Sequence, residues 1–531
     1  MRTVTTDVLI VGSGFGAAAP ALRLSRAGFR VLVVEKGPAL DPDRDFRQTQ
    51  DPQYVRRYLK SLPGEGLNVT YAEALGGGSG FYEMVSLRAP SIVFEQRDRK
   101  GRRLWPEGLS RTALDPYYAV AEEMLHVEQI APEDVPKTGL AFALLMKNLG
   151  YSCDRARYAV RGCIGSSYCV TGCIFGAKQS LLLNYIPQAK EAGARFECGL
   201  EAETIRTLVE IRNRPADGPL ESVPHRYEVV CQPVGDRDRD REGEREGAAG
   251  LRVRARLVIL AGGTVGTATL LLRSREHLKL MSRHVGRNIA FNGSVKAVGM
   301  LPDGFPDGDL FVGRTHPGMI SYEFLESMGI TISAAKPLPI QLVAGARLSA
   351  RDRDRRFDYW GEPNVELMKV ARRRMMILYA IGLTPPAARL EWSDGDEKPR
   401  LVADIGSELE GYHHRTERLL ESILSRNGCT LLNAEMLDPE GVPYPDLHFF
   451  TSHQMGSCRM ADSADRGVCD TKGEVFGYPG LYVSDGAAIP SSLAVNSSLT
   501  ILANAERIAL GIVARHGATS VASASATAPA P

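Results

Sequence analysis

Residues Asp7–Gly37, DVLIVGSGFGAAAPALRLSRAGFRVLVVEKG, decide the fold of this chain. The apolar run Val8–Val11 reads as a buried strand and ends on Gly12-Ser13-Gly14-Phe15-Gly16-Ala17, a G-x-G-x-x-A turn. Such a turn lets the backbone bend sharply and approach a pyrophosphate, and the helix that follows aims its first amides at that negative charge. A second apolar run, Val31–Val34, leads to Glu35, about twenty residues beyond the turn, where a carboxylate accepts hydrogen bonds from a ribose diol and repels a 2′-phosphate. Strand, turn, helix, strand and acid in this order predict a bound dinucleotide other than NADP. The alternative is a glycine-rich turn that merely packs a helix closely.

The chain has 531 residues, 44% of them hydrophobic and 24% charged, with a formal charge of +1. That length implies more than one domain, and that charge gives no long-range attraction to nucleic acid. The N-terminus enters the first strand at once, with no signal segment, and no run is long enough for a membrane span. Nine cysteines, an odd number, fit a reducing compartment, so a cytoplasmic protein is expected.

Further along, Ala74-Leu-Gly-Gly77-Gly78-Ser79-Gly80 concentrates glycine where backbone must lie flat against something. Leu114-Asp115-Pro116 reads as the start of a helix. Cys163, Cys169 and Cys173 could ligate an iron-sulfur cluster, pack as small apolar groups, or serve as a zinc site or redox disulfide. Asp236–Glu246 reads as a solvated hairpin tip, and Lys369–Arg374 as a solvated basic face. Arg256–Thr267 repeats the strand, glycine turn and helix pattern, while residues 297–447 alternate like a second, sheet-based domain.

Two C-terminal stretches carry the candidate chemistry: Phe449-Phe-Thr-Ser-His453-Gln-Met-Gly-Ser-Cys458-Arg459-Met460, and Ser484-Asp485-Gly486 through Asn496. A histidine suits uptake of a hydroxyl proton, and an asparagine amide suits holding the oxygen left behind.

With these stretches, LGGGS, Trp105-Pro106, LDPYY, LAGGTVGT and Val285-Gly286-Arg287-Asn288, the chain resembles the glucose-methanol-choline (GMC) oxidoreductases, in the branch of long-chain alcohol and cholesterol oxidases. The resemblance implies an α/β fold: a Rossmann-type FAD-binding domain (1–296 and 448–515) with an inserted α+β substrate domain on an antiparallel sheet (297–447), and a disordered tail (516–531). It implies that Gly12, Gly14, Phe15, Gly16 and Glu35 hold the ADP half of FAD, that Gly77, Gly78 and Ser79 lie along the pyrophosphate and flavin, and that Asp485 and Gly486 close over them. His453 becomes the general base and Asn496 its partner in oxidising a lipophilic long-chain or sterol-like alcohol, with oxygen or another acceptor taking the electrons. Some relatives carry an iron-sulfur cluster on cysteines spaced like Cys163, Cys169 and Cys173, which would make the chain an electron-transferring dehydrogenase, and the fold also hosts a non-redox lyase. No histidine lies between Ala72 and Arg103, where some relatives attach FAD covalently, so non-covalent FAD is expected.

Overall fold

The strand Arg2–Val11 is the centre of the molecule, flanked in parallel by Val31–Glu35 on one side and Leu251–Leu260 on the other. In the computed structural model, which describes residues 1–48, 54, 56–208, 223–235, 250–336, 347–350, 361–393, 395–396, 398–435 and 447–517, the first sheet runs Arg195–Cys198, Val31–Glu35, Arg2–Val11, Leu251–Leu260, Tyr227–Pro233, Leu200–Thr207. Val8, Leu9 and Ile10 are wholly buried, because a parallel sheet covered on both faces leaves no side for water. Leu251–Leu260 changes partner along its length. Its first half pairs antiparallel with Tyr227–Pro233, and its end pairs parallel with Leu481–Val483. That switch brings the C-terminal stretch to the carboxyl ends of the strands, where ligands bind in open α/β sheets.

The fingerprint helix, Phe15–Arg26, contains Pro20, which has no N–H for the carbonyl of Gly16. Ser484 replaces the missing donor, its hydroxyl bonding Gly16 O at 2.7 Å. The same helix packs on the C-terminal helix Ser498–His516. Between them Arg23 meets the fully buried Glu506 at 2.8 and 2.9 Å, and Tyr185 donates to the same carboxylate at 2.7 Å.

The second sheet is antiparallel: Arg347–Ala350, Thr430–Glu435, Val295–Met300, Met375–Gly382, Ile330–Ala335, Met319–Ser321 and Asp154–Arg155. One face, including Val295, Ala297, Leu378 and Ala380, is buried against the helices Ser407–Arg426 and Lys137–Asn148. Asp154–Arg155 and Lys137–Asn148 come from well before residue 297, so the second layer draws on two parts of the chain.

Some local expectations change. The helix expected to begin at Asp115-Pro116 begins at Arg111, because Ser110 caps it by accepting from Ala113 N, and Pro116 lies inside. The C-terminal helix extends to His516, which is buried, so the expected tail starts too early. The expectations for 236–246 and 518–531 fall outside the described residues. Lys369–Arg374 ends a helix, Glu362–Arg374, with Arg372 paired to Asp309 and Arg374 to Asp303. Among the described residues no helix is long and apolar enough to cross a membrane.

Removing Glu506 leaves Arg23 and the Tyr185 hydroxyl without their acceptor between two packed helices. Glu506→Ala is expected to lower the unfolding free energy by about 3 kcal/mol, read from urea denaturation, with a smaller loss for Glu506→Gln.

Candidate active site

The glycine turns face one another across a cleft. Gly12 sits at φ +98, and a side chain there would overlap the Ala261 carbonyl. A Cβ on Gly77 would come within 2.9 Å of Gly14 Cα, whereas one on Gly78 meets nothing within 4 Å and would project into open space. The first turn of the fingerprint helix holds no acid, and no side chain caps it. Its amide end is therefore available to an anion.

Ser13, a variable position in the motif, links the two turns. It accepts from Gly76 N at 2.9 Å and donates to Glu35 at 2.6 Å, while Gly37 N occupies the other Glu35 oxygen at 2.7 Å. No periodicity marks Ser13; only the meeting of the two loops gives it this role. Burial pushes the Glu35 carboxyl up to about 7 against those hydrogen bonds.

Asp485 closes the cleft from the far end of the chain. Gly263 N and the Thr267 hydroxyl bond one oxygen at 2.7 and 2.6 Å, and Ala487 N bonds the other at 2.9 Å. Burial nonetheless pushes its carboxyl up to about 6.

One cavity of about 1360 Å³ takes in Gly12, Gly14, Phe15, Gly16 and Glu35 at one end, then Gly77, Gly78, Asp485 and Gly486, and His453 and Asn496 at the other. That exceeds the roughly 300–1000 Å³ of sites for drug-sized ligands and suits an extended dinucleotide. The Gln454 side-chain oxygen on its wall is buried without a hydrogen-bond partner, a further sign of a group the cleft is built to receive. Ser79 is not on that wall. It is fully buried, its hydroxyl bonding Gly76 O at 2.7 Å and accepting from Leu181 N at 3.2 Å, so it shapes the loop instead of lining the cleft.

His453 stands between two asparagines. Asn496 Nδ2 lies 3.2 Å from Nε2, and Asn292 Nδ2 lies 3.3 Å from Nδ1. Asn292 escaped the reading of the sequence, since nothing in Phe291-Asn292-Gly293 distinguishes it from a turn asparagine. Its orientation is set by the backbone: Oδ1 accepts from Leu493 N at 2.8 Å and Nδ2 donates to Val495 O at 2.7 Å. His453 is half-buried and faces the cleft, and desolvation by the protein around it pushes its pKa down to about 4. The ring is therefore neutral at physiological pH. Ala494, two residues before Asn496, adopts a left-handed φ of +54, a costly conformation for alanine, and its carbonyl accepts from Thr331 at 2.6 Å.

The sequence matches the GMC oxidoreductase N-terminal pattern over residues 7–292 and the C-terminal pattern over 429–505. The chain belongs to the GMC oxidoreductases. As such it is a FAD-dependent oxidoreductase acting on alcohols, and the cleft fits that cofactor. It is 26% identical to a cholesterol oxidase of Mycobacterium tuberculosis, covering 95% of this chain and 90% of the relative. It is 24% identical to a long-chain-alcohol oxidase of Arabidopsis thaliana, over 94% and 67%. Among solved structures, pyridoxine 4-oxidase from Mesorbium loti superposes with a TM-score of 0.64 at 16% identity, over 96% of this chain and 100% of that one. The formate oxidase of Aspergillus oryzae also gives 0.64, at 15% identity over 97% and 99%. Both show the same fold.

The three cysteines do not assemble a ligand set. Among the described residues no group of three His, Cys, Asp or Glu could hold a metal ion, and all nine cysteines are unpaired. Cys169 is buried, its carbonyl accepting from the buried Lys178, whose ammonium also bonds Gly80 O at 2.7 Å. The segment braces the glycine loop.

Glu35 and Asp485 ionise less readily folded than unfolded, so their contribution to stability is present at acid pH and lost as pH rises through about 6 to 7. A ribose diol donating to Glu35 favours the ionised form. The melting-temperature gap between FAD-loaded and FAD-free protein is expected to widen from about pH 5 to about pH 8, and to stay level in Glu35→Gln.

Proposed function

We propose that the chain oxidises an alcohol to its carbonyl compound at the His453–Asn496 pair, with non-covalently bound FAD as oxidant. The observation that carries this reading is the convergence of His453 Nε2 and the Asn496 amide, 3.2 Å apart, on the wall of the cleft shared by the glycine turns. Bound FAD would supply the acceptor for the hydride leaving the carbinol carbon, and would pass the electrons to oxygen or another acceptor. The names of the oxidase relatives support oxygen. The nine unpaired cysteines support a reducing compartment such as the cytoplasm.

The resemblance gives His453 the role of base, taking the hydroxyl proton at Nε2 while Asn496 holds the oxygen. Asn292 Nδ2 approaches Nδ1 as Asn496 Nδ2 approaches Nε2, so the two amides orient the ring from both sides without selecting its tautomer.

The relatives' names support a lipophilic long-chain or sterol-like substrate.

Replacing His453 by alanine is expected to slow anaerobic flavin bleaching by about 10²–10⁴-fold. If the ring is the base, His453→Gln is equally slow and the wild-type rate falls as pH drops through about 4. Retention of much of the rate in His453→Gln, without that fall, would remove the base role. Unchanged bleaching in His453→Ala and Asn496→Ala would remove the site assignment.

A further inference from the structure

Asn496 reaches His453 at the end of a segment whose backbone is held against its own preference. Ala494 adopts φ +54, in the left-handed region where an alanine Cβ crowds the carbonyl that follows. Such a conformation persists only where its surroundings enforce it. Asn292 fixes the amide before the turn and the carbonyl after it, through Leu493 N at 2.8 Å and Val495 O at 2.7 Å. Between them stands the Ala494 carbonyl, and it accepts from the Thr331 hydroxyl at 2.6 Å.

Thr331 lies on the strand Ile330–Ala335 of the second sheet, opposite Ile381, and is buried. Ala494 has no accessible surface, so water cannot take the place of that hydroxyl. The segment cannot relax by sliding either. Upstream, Gln96 donates to Ser492 O at 2.8 Å and Thr384 N donates to Ser492 Oγ at 2.8 Å. Downstream, the helix Ser498–His516 begins just after Asn496. Relief of the turn therefore falls on the peptide planes between Ala494 and Asn496, and rotates the amide that faces His453 Nε2.

We propose that Thr331 is a positioning residue for alcohol oxidation: its hydroxyl holds the left-handed turn at Ala494 and so keeps the Asn496 amide aimed at His453. The proposal rests on the His453–Asn496 reading above, and adds to it a residue of the second sheet that does not line the cleft.

The test compares Thr331→Val, Thr331→Ser, and Thr331→Val combined with Ala494→Gly, in the FAD-loaded protein. Valine keeps the shape and strand preference of threonine and removes only the donor. Anaerobic flavin bleaching by hexan-1-ol, or by dodecan-1-ol or cholesterol in detergent, follows the reaction. In Thr331→Val the rate at saturating alcohol is expected to fall about tenfold or more, the scale of a misplaced group, with the half-saturating concentration within about twofold of wild type. Thr331→Ser is expected to keep most of the rate. Glycine takes a positive φ without steric cost, so Ala494→Gly is expected to return most of the rate lost in Thr331→Val. For the same reason Thr331→Val is expected to lower the melting temperature less in an Ala494→Gly background than alone, a reading that needs no substrate. In an Asn496→Ala background, Thr331→Val is expected to slow bleaching no further.

An unchanged rate in Thr331→Val, a loss confined to half-saturation, or no recovery with Ala494→Gly overturns the role of Thr331 and leaves the site standing. Equal falls in melting temperature in the two backgrounds, or a further loss of rate in Asn496→Ala, do the same. Unchanged bleaching in Asn496→Ala, or none by any of these alcohols, overturns the site reading itself.

Discussion

The cleft depends on the meeting of Gly16 with Asp485. A Cβ on Gly16 would lie 2.5 Å from the Asp485 Cβ, so the first helix can receive the C-terminal segment only at a glycine. The carboxylate brought in by that contact gathers the amide of Gly263, the hydroxyl of Thr267 and the amide of Ala487. Three chain segments, near residues 16, 263 and 485, are thereby held at the ends of the parallel strands. Ser484 strengthens the junction by bonding the carbonyl that Pro20 leaves free. The ligand cleft is the space that remains around this knot.

The end of the cleft at His453 and Asn496 follows from the same arrangement. The segment that begins at Asp485 continues to Ala494 and Asn496, and its left-handed Ala494 turns the amide of Asn496 toward His453. Asn292 holds the opposite side of the ring through backbone groups of that segment, Leu493 N and Val495 O. His453 is oriented by neighbours whose own positions are set by main chain, which leaves little rotational freedom at the imidazole. The second sheet completes the enclosure by bonding the same two segments through Ser294 and Thr331.

Much of this was legible in the order of residues. The turn after Val11, the acid at Glu35 and the glycines at Gly77 and Gly78 have backbone reasons that hold wherever such a motif occurs, and all line the cleft. Ser79 was misplaced because a motif records that a small polar residue is needed without recording which way it points. Ser13 and Asn292 were missed because their partners, Gly76 and His453, lie 63 and 161 residues away. The helix start at Arg111 shows a local rule losing to another: the Ser110 cap outweighs the preference for proline in the first turn.

The sequence alone determined that this chain builds a parallel α/β domain with a glycine-turn nucleotide site, and which family supplies its histidine and asparagine. Those features rest on spacing within a few tens of residues, where backbone sterics and helix geometry leave one solution. Only the tertiary structure decided that Lys178 joins the Cys169 carbonyl to that of Gly80, so that the cysteine segment braces the glycine loop, and that Asn292 stands against His453. Such facts depend on which strands become neighbours and which face each one turns, and that is set by the packing of residues hundreds of positions apart.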